Sequence, residues 1–206
     1  MSARLIRYAG PAAVLGGALY IATFGMVYLI YGLFEEQAEG TFFRNHDFIY
    51  AFYTPMYALL LLGTLGLYLR QRGYFGLAGR AGFYLTSLGF SLGTVGSAMI
   101  VVIGLTFGEG AGVAQFVVHA LSHASYATGS VLLGIAIFRA GVLPKVAAVM
   151  MGVGPAWQFA LSLAGINQSY LLLLLPFAVT ALGWMWLGYA LLAEKEQAAA
   201  AATAVR

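Results

Sequence analysis

Six apolar stretches, each long enough to cross a bilayer, alternate with short joints that hold the charge. They run at about 9–34, 48–69, 77–107, 113–138, 143–164 and 169–193. Crossing roughly 30 Å of hydrocarbon takes about 20 residues of helix. Inside lipid only a helix or a closed barrel satisfies its own backbone, and runs of this length are helices. The expected fold is therefore all-α, a polytopic bundle of six transmembrane helices. It forms one domain over 1–193, followed by an alanine-rich cytoplasmic tail at 194–206 that prolongs the last helix a turn or two and then frays.

The charges between these runs are sorted by sign. Counted alternately from the N-terminus, the joints and tails on one side hold Arg4, Arg7, Arg70, Arg72, Arg80, Arg139, Lys145, Lys195 and Arg206. The other side holds Arg44 as its one basic residue, with Glu35, Glu36, Glu39, Asp47 and Glu109. Basic residues mark the cytoplasmic face, so both termini are expected there and the chain in the inner (plasma) membrane.

Composition supports the same class. With 62% hydrophobic and 8% charged residues, a chain of 206 residues has too little polar surface to coat a soluble globule. The net charge of +3 comes from residues spread along one membrane boundary, where anionic lipid attracts them, and does not point to nucleic acid. The absence of cysteine excludes disulfides and thiolate metal sites. The first apolar run, Ala9 to Phe34, exceeds the roughly 7–15 residues of a cleaved signal core and reads as an uncleaved anchor.

Small residues punctuate the third run at Gly82, Gly89, Gly93 and Gly96, as expected of a helix-packing face. Pro55, Pro155 and Pro176 each remove a backbone donor from a membrane helix. Aromatic residues gather at both boundaries. Tyr28, Tyr31, Phe34, Phe42, Phe43 and Phe48 lie on the outside, and Tyr68, Tyr74, Trp184, Trp186 and Tyr189 toward the inside, forming an expected interfacial belt. Two inner turns look alike, Leu65-Gly66 through Arg70 to Gly73 and Leu133-Gly134 through Arg139 to Gly141.

The fourth run holds the ionisable residues found inside a span. His119 and His123 stand four apart and share a helix face. Gln115, Ser122, Tyr126 and Ser130 fall on or beside the same stripe, which descends roughly 22 Å and should face the bundle interior. Topology places His46, Asp47, Glu35, Glu36 and Glu109 in the same outer half, with Trp157, Gln158, Asn167 and Gln168.

Four readings are open for this constellation. It can be structural, through hydrogen bonds between helices. It can bind a small or lipidic ligand through Gln115, His119, Ser122, His123, Tyr126 and Gln158. It can hold zinc on His46, His119 and His123 with Asp47, since a catalytic zinc takes three protein ligands and keeps one position open. It can serve as a haem, quinol or proton site. The expected assignment is a non-enzymatic membrane protein without cofactor, binding or passing a ligand, or an accessory subunit in a homo- or hetero-oligomeric assembly. A zinc-dependent hydrolase and a haem or quinol subunit are the alternatives. No lysine lies in the interior of a span, where a retinal Schiff base would form, and no Gly-rich strand–helix loop offers a nucleotide scaffold.

Helix four and the turn after it include Gly134, Phe138, Arg139, Gly141, Leu143, Pro144 and Lys145, then Gly152 in the next helix. Together with Tyr8-Ala9-Gly10, this pattern resembles a family of bacterial six-helix membrane proteins defined as a domain of unknown function, over about half the chain. The resemblance implies the six-span fold and its topology, with Gly141 ending one helix and Pro144 in the first turn of the next. It implies no activity. The His-x-x-x-His spacing is also similar to that of seven-helix membrane hydrolases such as the alkaline ceramidases, which hold zinc on three histidines. This chain departs from them in helix count, in the helix that bears the pair, and in the side on which it lies.

Overall fold

The computed structural model describes residues 2–38, 47–107, 112–164 and 170–204. Arg44, His46, Glu109, Asn167 and Gln168 lie outside them. The described residues form six helices and no strand: α1 (Ser2–Ala38), α2 (Asp47–Gln71), α3 (Leu77–Phe107), α4 (Gly112–Ala140), α5 (Lys145–Leu163) and α6 (Tyr170–Ala204). All six are long and apolar enough to cross a membrane.

Helix ends differ from expectation in one consistent way. Arg4, Arg7, Glu35, Glu36, Arg70, Arg80 and Arg139 belong to the terminal turns of helices that overrun their apolar spans, and are not in loops. A backbone leaving hydrocarbon is best satisfied by remaining helical until water can replace the intrahelical bonds. α6 likewise continues to Ala204, well past the turn or two expected, as its alanine-rich sequence favours.

Each helix packs on the one before and the one after it, and α6 closes on α1, giving a ring in sequence order. The ring closes because small residues let the backbones meet. A Cβ placed on Gly188 would lie 2.7 Å from the Gly10 carbonyl oxygen, and one on Gly17 would lie 2.8 Å from that of Ala181. The α3 glycines behave as a packing face. Gly82 abuts the Leu133 backbone and Gly89 that of Tyr126, while Gly93 accommodates the Tyr57 ring on α2. Between helices apolar enough to cross a membrane, such close approach brings dispersion contacts that hold the ring together.

One end of the ring, here called proximal, carries both chain ends and the α2–α3 and α4–α5 turns. Ala9 meets Gly66 there, and Leu192 covers Gly10. In the α4–α5 turn Gly141 takes φ +65° and donates its N–H to the Ile137 carbonyl at 3.2 Å, ending α4 as expected. Pro144 sits one position earlier than expected, as the N-cap of α5 (φ −55°, ψ 117°), so α5 starts at Lys145. The two similar turns pack differently: Gly66 faces the preceding helix α1, whereas Gly134 faces the following helix α5.

The middle of the ring is filled by one side chain from every helix: Tyr20, Tyr57, Phe90, Tyr126, Gln158 and Trp184, all buried. The Phe90 ring lies 4.7 Å from Tyr126 and 5.6 Å from Trp184, which joins opposite walls. Trp184 is therefore a core residue and not part of an interfacial belt; its neighbours Trp186 and Tyr189 do face outward. Tyr68 stacks on Phe83 at 3.9 Å and is also turned partly inward. Toward the proximal end Leu60, Leu67, Leu133, Ile137, Met151 and Leu187 close the ring with apolar bulk. The outer wall is apolar too, with Leu15, Leu88, Met99, Leu121, Val153 and Leu182 exposed. A soluble monomer rarely exposes so continuous an apolar surface.

Candidate functional site

Polar groups inside this apolar ring are first accounted for within their own helices. Thr64, Thr94 and Thr180 donate to the carbonyls four residues back at 2.8, 2.8 and 2.7 Å. Such local bonds neutralise a hydroxyl without recruiting a partner. The residues on the α4 stripe and Gln158 behave differently, and the structure divides them into three groups.

Ser122 turns to α3. Its hydroxyl donates to the Gly89 carbonyl at 2.8 Å and is buried, so it ties α4 to α3 and lies apart from any cavity. Tyr126 and Ser130 point to the ring centre. Tyr126 Oη, Ser130 Oγ and Trp184 Nε1 are buried without a hydrogen-bond partner in the protein. His119, His123 and Tyr126 line a cavity of about 390 Å³ with Pro155, Gln158, Phe159 and Ser162 of α5.

This cavity lies in the half of the ring remote from the chain ends. Exposed Phe116, Ala120 and Leu163 form its rim, so it opens sideways between α4 and α5. Pro155 stands in the cavity wall, where it removes one backbone donor from α5.

Two side chains in the cavity are oriented by bonds behind them. His123 Nδ1 lies 2.9 Å from the His119 carbonyl oxygen. A carbonyl only accepts, so Nδ1 bears the hydrogen, and Nε2 of the neutral ring carries the lone pair. Gln158 Oε1 accepts from the Tyr20 hydroxyl at 3.1 Å, which leaves the Gln158 Nε2 hydrogens to donate toward the cavity. His119 is placed otherwise. Its ring meets Tyr50 edge-on at 5.2 Å, and both its nitrogens are buried without a partner. The two histidine rings are 5.8 Å apart.

Of the sequence candidates, His119, His123, Tyr126 and Gln158 thus come together. The side chains of Gln115 and Asp47, and His46 entirely, lie outside the described residues. No group of three His, Cys, Asp or Glu occurs among the described residues. Sequence reasoning missed Tyr20, which holds Gln158, and the aromatic rim of Phe116 and Phe159. A tyrosine midway along an apolar run was the available signal for Tyr20, because its hydroxyl must find a partner within the bundle. The chain matches no family model, no curated protein and no solved structure with which it was compared.

Proposed function

We propose that the protein is a multi-pass inner-membrane protein with both termini in the cytoplasm. In this reading it binds a small amphipathic molecule that enters from the lipid phase through the gap between α4 and α5. The observation that carries the reading is the cavity itself. It is apolar at its rim, opens laterally, and ends on two polar groups of different character. Gln158 offers donors and His123 Nε2 an acceptor. A ligand with a carbonyl or hydroxyl at one end and an apolar body satisfies this set, as cavities with few convergent polar groups commonly require. The orientation rests on the sequence, in which alternate joints and tails hold nine basic residues on one side against one on the other. It places the cavity in the outer half of the bilayer.

The His119 nitrogens, buried without a hydrogen-bond partner, leave a metal shared with His123 as the alternative to a ligand. The test is extraction and mass spectrometry of small molecules that co-purify in mild detergent. A molecule retained by the wild type and lost from His123→Ala and Gln158→Leu is expected. Identical complements in all three proteins would overturn the reading. Stoichiometric zinc in the wild type, lost in His119→Ala, would replace it with the metal site.

A further inference from the structure

A second cavity runs along the same α4–α5 seam, on the outside of the ring and nearer the chain ends. Its volume is about 690 Å³. It exists because Gly134 and Gly152 face each other. A Cβ on Gly134 would lie 2.7 Å from the Ala148 carbonyl oxygen and 3.4 Å from the Gly152 Cα. The backbones therefore nearly touch, while Ile135 and Phe138 on one side and Val149, Val153 and Trp157 on the other stand out as walls. The result is an open apolar slot.

Its length and its charge specify an occupant. From Ala148 to Trp157 the α5 wall rises about 14 Å, close to the ~15 Å of one hydrocarbon leaflet. Arg139 lines the slot at its proximal end, and Lys145 places its ammonium 5.4 Å from the centroid of the Phe138 ring at the same mouth. Both cations are exposed. The two helices that form the slot carry no carboxylate between Gly112 and Leu163. An apolar slot one leaflet deep, ending under two exposed cations, matches an acyl chain joined to an anionic headgroup.

We infer that the α4–α5 slot is a site for one anionic phospholipid of the proximal leaflet. One acyl chain lies between Phe138 and Trp157, and the phosphate is held by Arg139 and Lys145. The inference is independent of the ligand proposed for the distal cavity. Lipid surfaces attract each such cation by an amount that makes two of them worth about a thirtyfold preference for anionic over zwitterionic lipid.

Trp157 at the deep end of the slot reports directly. In nanodiscs carrying the Trp186→Phe protein, phosphatidylglycerol brominated deep in its chains should quench Trp157 with about thirtyfold higher apparent affinity than equally brominated phosphatidylcholine. Trp184 is fully buried and stays shielded. Arg139→Gln with Lys145→Gln should abolish the preference without altering the emission seen in pure phosphatidylcholine. Equal quenching by the two lipids would overturn the inference, as would a preference that survives the double substitution. Emission protected from both lipids in discs holding two copies would assign the slot to a second copy of the chain.

Discussion

Gly129 and Gly25 are both helical glycines in apolar runs, and only their surroundings tell them apart. A Cβ on Gly129 would collide with the Thr86 backbone nitrogen across the α3–α4 contact, whereas one on Gly25 would meet nothing within 4 Å. Gly129→Ala should lower stability by about 1–3 kcal/mol, the usual cost of overpacking, read as a drop in Tm in detergent. Gly25→Ala should be neutral or stabilising by about 0.5–1 kcal/mol, because alanine loses less backbone entropy in a helix. Ser122→Ala removes the bond to the Gly89 carbonyl and should cost about 0.6–1.7 kcal/mol. It should leave co-purification of a cavity ligand unchanged, which separates its role from that of His123. Ser122 and His123 are adjacent in sequence. Nothing in the stripe pattern indicated that one would tie helices together while the other faced a cavity.

Helix positions were legible because hydropathy over about 20 residues reads the bilayer thickness directly. The turns were legible only in part. Arg70 to Gly73 and Arg139 to Gly141 look alike, but Gly141 alone has a positive φ among the described residues. Gly141→Ala should cost about 1–2 kcal/mol, the penalty of a left-handed residue with a side chain. Gly73→Ala should leave the Tm unchanged, since open space surrounds it. A reversed ranking in thermal unfolding would show that the α4–α5 turn does not depend on that conformation. Trp184 marks the opposite failure. Its place near the end of an apolar run read as interfacial, but on a helix only the face a residue occupies decides between lipid and core, and Trp184 takes the inner face.

For the whole molecule, sorted charges predict orientation, and labelling tests it. A cysteine replacing Arg72 should resist an impermeant reagent in intact cells, and one replacing Glu109 should react. The reverse pattern would invert the topology and move the distal cavity to the cytoplasmic half. The sequence by itself determined the number of the helices and the apolar core of each, and the polar stripe on α4. These follow from one-dimensional physics: the thickness of hydrocarbon and the cost of placing charge within it. Only the tertiary structure decided that six helices close into a ring in chain order, that Tyr20 reaches Gln158 across it, and that both cavities open at the α4–α5 seam. Those depend on where small residues let two backbones meet, and such pairings, Gly10 with Gly188 or Gly134 with Gly152, join positions whose separation along the chain carries no trace of their contact.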